Sequence, residues 1–279
     1  LPGWATGAAI RLPLPEGFWP EAGIVAGSIA VMVGLSITSS MRRHRKATVL
    51  IASMSLLILA GLFIGYPHLT ALDQGVMTLV QEHRSPTLDE VAVTLTIIGE
   101  FRNMLLFSAL LVTLLLVMRQ WRQAIFACAT LLITALANTG TKQFFARVRP
   151  EVLSDPLTSY SMPSGHASGA FALFLTLAVL AGRGQPPRMR LTWLLVGCLP
   201  ALAIALSRVY LGAHWPTDIT AGAMLAACVC AASLWTIQRG EELKAMTPRV
   251  WWLVLPAMVA LFGFFALRHL PHAMLRYAY

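Results

Sequence analysis

Charge is what this sequence has least of. Asp, Glu, Lys and Arg together make up 12% of its 279 residues, about half the share in a soluble globular domain. Acidic residues are the rarer kind, 12 against 21 basic ones. Cys128, Cys198, Cys228 and Cys230 are the four cysteines; they fall in apolar stretches and form no C-x-x-C pair. That argues against a disulfide framework or a zinc site and reads them as small buried hydrophobes. No His, Cys, Asp or Glu pattern has metal-ligand spacing, and no repeat or low-complexity tract marks a separate soluble domain. Residues 1–21 contain prolines but lack the long apolar core of a secretory signal. They read as a loop with a short interfacial piece near Phe18 and Trp19. The chain opens on Leu1 without an initiator methionine, so it can equally be a processed form or part of a longer protein.

What replaces charge is hydrocarbon, 57% of residues being hydrophobic, with a mean hydropathy of +0.69. Eight apolar segments can be drawn, about 22–40, 47–66, 103–118, 123–141, 166–182, 191–208, 214–237 and 250–267. Most reach membrane-spanning length, and backbone in lipid must bond internally, so all eight read as helices. The fold expected is an all-α, polytopic transmembrane helical bundle. A net charge of +9 in a soluble chain would suggest nucleic acid. Here the basic residues cluster in alternate short loops, at Arg42–Lys46, Arg119 and Arg122, Arg183–Arg190, and Arg239–Arg249. Such loops face the cytoplasm and meet anionic headgroups, so membrane lipids and not nucleic acid are the expected partners. Both termini then lie outside. The outer connection 67–100, broken at Pro86, reads as two short amphipathic helices at the interface, either a plain connector or a wall beside a site. The outer connection 146–162 is irregular.

Three short segments carry the remaining chemistry, and the loop charges put all three on the same outer face. They are Lys142 with Arg149-Pro150, then Pro163-Ser164-Gly165-His166, then Ser207-Arg208 with His214 and Asp218. Ionisable groups at the edge of a bilayer core are costly and imply a use. Asp218 follows His214 by four residues, one face of a helix expected to begin near His214 with Pro216 in its first turn. A carboxylate holding one imidazole nitrogen fixes the tautomer and leaves the other nitrogen's lone pair as a nucleophile. Taken alone, the pair is as readily a structural cap. Ser164 caps the next helix, Gly165 allows close approach to its first N–H groups, and His166 can protonate a leaving oxygen. Lys142, Arg149 and Arg208 can grip phosphoryl oxygens, although any one helix-end cation can equally contact headgroups. Arg84, Arg102 and Arg147 are assigned to that simpler use.

Together the segments resemble the three signature motifs of the type 2 phosphatidic acid phosphatase (PAP2) superfamily, KxxxxxxRP, PSGH and SRxxxxxHxxxD, with no departure at a defining position. The resemblance implies a six-helix phosphatase core over 47–238, with 1–46 and 239–279 each adding one helix. It implies a metal- and cofactor-independent reaction in which His214 attacks phosphorus to give a phosphohistidine. Asp218 orients His214, and His166 protonates the leaving group. Lys142, Arg149, Arg208, Ser164 and Gly165 bind phosphate, and Ser207 positions Arg208. The expected substrate is a lipid phosphate or diphosphate of the undecaprenyl diphosphate, phosphatidylglycerophosphate or phosphatidic acid type. The expected location is a bacterial inner membrane with the site on its periplasmic face. Phosphotransfer between lipids and non-enzymatic headgroup binding or transport stay open, as does the oligomeric state.

Overall fold

The structure is a computed structural model describing residues 14–41, 45–152 and 158–276. Arg42, Arg43 and the side chains of Arg45 and Lys46, on which the first cytoplasmic loop rests, lie outside the described residues, as do residues 1–13, Asp155 and Pro156. Among the described residues all regular structure is helical. The order is α1 (Phe18–Met41), α2 (Arg45–Gly65), a 3-10 turn (Tyr66–His68), α3 (Thr70–Glu82), α4 (Pro86–Ile98), α5 (Phe101–Val117), α6 (Trp121–Phe145), α7 (Gly165–Ala181), α8 (Pro187–Tyr210), α9 (Pro216–Ile237) and α10 (Pro248–Arg276).

Local chemistry sets the helix ends. Pro86, Pro187, Pro216 and Pro248 each open a helix, where the missing N–H would have had no intrahelical partner. Ser85 caps α4, its Oγ accepting from the Leu88 N–H at 3.4 Å. α6 ends at Ala146 in a left-handed turn (φ +47°), whose N–H bonds back to the Lys142 carbonyl at 3.1 Å.

Among the described residues six helices, α1, α2, α6, α8, α9 and α10, are long and apolar enough to cross a membrane. α4 and α5 pass the same test only as a pair bent by 52°, and α7 is shorter, with 17 residues. The eight apolar segments therefore correspond to helices, with one correction. The second interfacial helix expected between 67 and 100 is α4, and it is no free amphipathic connector. It runs through a bend into α5 and packs against α8 and α10, burying Ala92, Val93, Thr96 and Ile97. Its apolar residues exceed one helical face, which is why it buries.

α9 is the axis of the bundle, packed against α2, α6 and α7, with α7 also against α8. In lipid there is no hydrophobic drive between helices, so close packing of small side chains substitutes. Ala167, Ala170, Ala221 and Ala226 are buried at these contacts. A Cβ at Gly222 would lie 2.8 Å from the Ser164 carbonyl oxygen, so glycine there sets how closely α9 meets the start of α7. α1 packs on α2, α3 and α8, and α10 on α4 and α5. Antiparallel connections bring the end of α6, the start of α7, the end of α8 and the start of α9 to one end of the bundle.

Candidate active site

That end holds the three sequence segments. His214 lies in the turn before α9, buried at 1% exposure. The helix starts two residues later than the sequence suggested, so the His–Asp spacing works through a turn and not along a helical face. The reason is Asp218 itself: its Oδ2 accepts the Trp215 N–H at 2.9 Å, closing the first turn and leaving His214 outside it. The same Oδ2 is 3.3 Å from His214 Nδ1. On the other side of the ring, Nε2 is 2.9 Å from an Arg149 guanidinium nitrogen. Arginine can only donate, so Nε2 accepts and the ring proton sits on Nδ1, toward the carboxylate. The tautomer thus follows from the partners: the Nε2 lone pair points at the cations.

Arg149 is held by a ring of oxygens. Its Nε donates to the Ser159 carbonyl at 2.6 Å, one terminal nitrogen to Ala213 O at 2.6 Å, and the other to Ser159 Oγ at 2.9 Å. Lys142 Nζ donates to Tyr160 O at 2.8 Å. Arg208, 2% exposed in the last turn of α8, donates to Thr96 Oγ1 at 3.0 Å. Thr96 is also 3.1 Å from Ser207 Oγ. Thr96 belongs to α4, so of the two readings of 67–100, connector or wall beside a site, the second fits this helix, which supplies a contact to a motif arginine. His214 has its pKa lowered well below the ordinary imidazole value, first by burial and then by Arg149, Arg208 and Lys142. The three cations therefore converge on the nucleophile candidate.

Ser164 caps α7, its Oγ accepting from the Ala167 N–H at 3.4 Å, and its own N–H donates to Asp218 O at 3.0 Å. Asn138, one turn before Lys142, donates to Pro163 O at 3.3 Å and ties α6 to this segment. The Nε2 of His166 is buried with no protein hydrogen-bond partner among the described residues. Its ring abuts the α4–α5 bend: a Cβ at Gly99 would overlap Ile204 and lie 2.9 Å from His166 Cδ2. Gly99 has φ −77°, so the requirement is space and not backbone freedom. Gly99→Ala is therefore expected to displace the bend or the ring and to lower activity about tenfold, with about 1–3 kcal/mol lost as overpacking. Activity and thermal unfolding of the purified variant, measured together, check this; unchanged values for both would refute it.

The largest departure from the sequence expectation is Arg147. It is no surface residue reaching for headgroups but is 8% exposed, donating to Asp218 Oδ1 at 2.7 Å and to Asp73 Oδ2 at 2.5 Å. Its guanidinium lies over the Tyr66 and Trp215 rings, 4.8 and 5.8 Å from their centroids. Asp73, on α3, also accepts from the Thr217 N–H at 3.0 Å and from Thr217 Oγ1 at 2.7 Å. Burial pushes the Asp73 carboxyl up from its usual range, with Arg147 pulling it down. Ser161 Oγ donates to Asp218 Oδ2 in a short hydrogen bond. His214 is thus one of several partners of Asp218, and Arg147 is its cation. Asp73, Thr96, Arg147, Ser161 and Thr217 were missed because none is a defining position of a motif: Arg147 and Thr217 fall at variable positions within two of them, and the other three lie outside. Asp73, an acid on the buried side of an amphipathic helix, was the one usable sequence clue. Among the described residues no three His, Cys, Asp or Glu side chains group as metal ligands. Cys230 is buried, whereas Cys128 is exposed on the bundle surface.

The PAP2 superfamily profile matches residues 123–242, which include all three segments. That stretch is PAP2-like. Over 86 residues it is 42% identical to an undecaprenyl-diphosphatase of Sulfolobus acidocaldarius, a stretch covering 29% of this chain and 36% of that protein. Over 145 residues it is 27% identical to phosphatidylglycerophosphatase B of Bacillus subtilis, covering 50% of this chain and 70% of the relative. The crystal structure of a transmembrane PAP2-type phosphatidylglycerolphosphate phosphatase from Bacillus subtilis shares the fold, with a TM-score of 0.58 and 21% identity, covering 65% of this chain and 93% of that one. With six helices long and apolar enough to cross a membrane among the described residues, and this fold neighbour, the chain is an integral membrane protein.

Proposed function

We propose that this protein is a lipid phosphatase that hydrolyses a lipid phosphate or diphosphate through a phosphohistidine on His214. The observation that carries the reading is the orientation of His214, with Nδ1 toward Asp218 at 3.3 Å and Nε2 toward Arg149 at 2.9 Å. Nε2 attacks phosphorus and the bond to the leaving oxygen breaks; His166 gives that oxygen its proton. Water then attacks the phosphohistidine, losing a proton to His166, and releases phosphate and free His214. Lys142, Arg149 and Arg208 counter the charge on the equatorial oxygens, together with Ser164 and the first-turn N–H groups at Gly165. None of these steps calls on a metal or cofactor.

A lipid substrate is supported by the rim. Phe144 and Val148 flank the cations and are 81% and 72% exposed, as acyl or prenyl chains would require. The names of both relatives, a lipid diphosphatase and a lipid monophosphatase, favour the same class. The basic loops favour a site on the outer face of the membrane, with 47–238 as the phosphatase core.

The test is phosphate release by the purified chain from a panel of lipid mono- and diphosphates, in the presence of chelator. Release is expected from at least one, undiminished by chelator. Abolition by chelator would refute the metal-free route. Label from the substrate appearing on a second lipid, and not as phosphate, would make the protein a phosphotransferase.

A further inference from the structure

The Arg147 cluster does more than join helices. Two buried carboxylates, Asp73 at 1% and Asp218 at 0% exposure, share one guanidinium, Asp218 on one terminal nitrogen and Asp73 on the other. Thr217 closes the loop: its hydroxyl donates to Asp73 and accepts from Arg147 at 2.7 Å. The guanidinium also lies over the Tyr66 and Trp215 rings, 4.8 and 5.8 Å from their centroids. Asp218 Oδ1 is therefore committed to Arg147. Oδ2 is left to Ser161, the Trp215 N–H and His214. Of the other charged groups, Lys142 at the end of α6 is near enough to interact with Asp218.

We propose that Arg147 and Asp73 are positioning residues, holding the Asp218 carboxylate ionised and turned toward His214, so that α3 forms part of the nucleophile's support. The inference rests on the phosphohistidine reading of His214. It follows from charge: without Arg147, two carboxylates would share one buried site, and one of them would take up a proton. A protonated Asp218 no longer fixes the Nδ1–H tautomer of His214, and the reactive lone pair is lost without any loss of phosphate grip.

The test is steady-state phosphate release by the full chain, with Arg147→Met, Asp73→Asn, the double variant and His214→Ala measured side by side. Arg147→Met is expected to lower kcat about 100-fold with KM changed less than about 3-fold, and Asp73→Asn to lower kcat only a few-fold. The double variant is expected to recover about tenfold over Arg147→Met, because removing the second carboxylate lets Asp218 ionise again. A merely structural cluster gives the opposite, a double variant as poor as the summed losses. That outcome, or wild-type kcat in Arg147→Met, overturns the proposal. If Arg147→Met does not purify as a folded protein, Arg147→Lys replaces it. That variant keeps a cation but reaches one carboxylate, so kcat falls about tenfold and Asp73→Asn in the same background restores it; no restoration overturns the proposal. Activity surviving in His214→Ala would instead remove the nucleophile assignment. An inactive His214→Ala beside a fully active Arg147→Met would remove only the positioning role.

Discussion

His214→Ala is expected to reduce phosphate release about 10⁴-fold or more, the scale on which removal of a covalent nucleophile acts. That corresponds to about 5 kcal/mol of transition-state stabilisation. The fold should survive, because the buried ring sits in a turn and not in a helix interior, and thermal unfolding of the purified variant checks this. A labelled, acid-labile phosphoenzyme should form with wild type and be absent from the variant. Release within about tenfold of wild type would show that another group attacks phosphorus. The pH dependence gives a second reading of the same residue. Burial first, then Arg149, Arg208 and Lys142, hold the His214 pKa well below its ordinary value, about 6.5 in an unperturbed imidazole. The nucleophile must be neutral, and a lowered pKa means that protonation waits for more acid. The value of kcat/KM, corrected for the substrate's own ionisation, should therefore stay level as pH falls through about 6.5 and decline only below it. An acidic limb at or above that value would contradict the environment described.

The second large effect concerns His166 and depends on what departs. His166→Asn removes the proposed proton donor and is expected to cost about 10²- to 10⁴-fold with a lipid monophosphate, whose leaving group is a strongly basic alkoxide. With a lipid diphosphate, attack at the terminal phosphorus expels a phosphate-type oxygen of far lower basicity, which needs little help from an acid. The loss there should be about tenfold or less. The contrast between the two substrates is the measurement; equal losses would assign His166 to binding and not to proton transfer. Burial first, then Arg208 and His214, lower the His166 pKa well below the ordinary imidazole value, so its unpartnered Nε2 is expected to carry a proton to the leaving oxygen only with the substrate's negative charge bound beside it.

Much of this protein was legible in its sequence, for identifiable reasons. Apolar runs and scarce charge placed the helices to within about four residues at their ends, since backbone in lipid has few alternatives; α10 is the exception, running on to Arg276 where the apolar segment stops near 267. Lys142, Ser164, His166, Arg208, His214 and Asp218 could be named because each stands at a helix end, where a polar group is conspicuous. α4 was misread because an apolar helix ending in Gly99-Glu100 looks like a surface piece until α8 and α10 cover it. Arg147 was misread because a cation two residues from Arg149 looks like its neighbours on any hydropathy trace.

By itself the sequence determined the helical bundle, the spacing within each motif and the chemical types present at one end of it. Only the tertiary structure decided which nitrogen of His214 carries the proton, because that depends on Arg149 and Asp218 approaching the ring from opposite sides. It alone paired Arg147 with Asp73 and Asp218, residues separated by 74 and 71 positions. Charges become partners through distance and burial, and a linear pattern records neither.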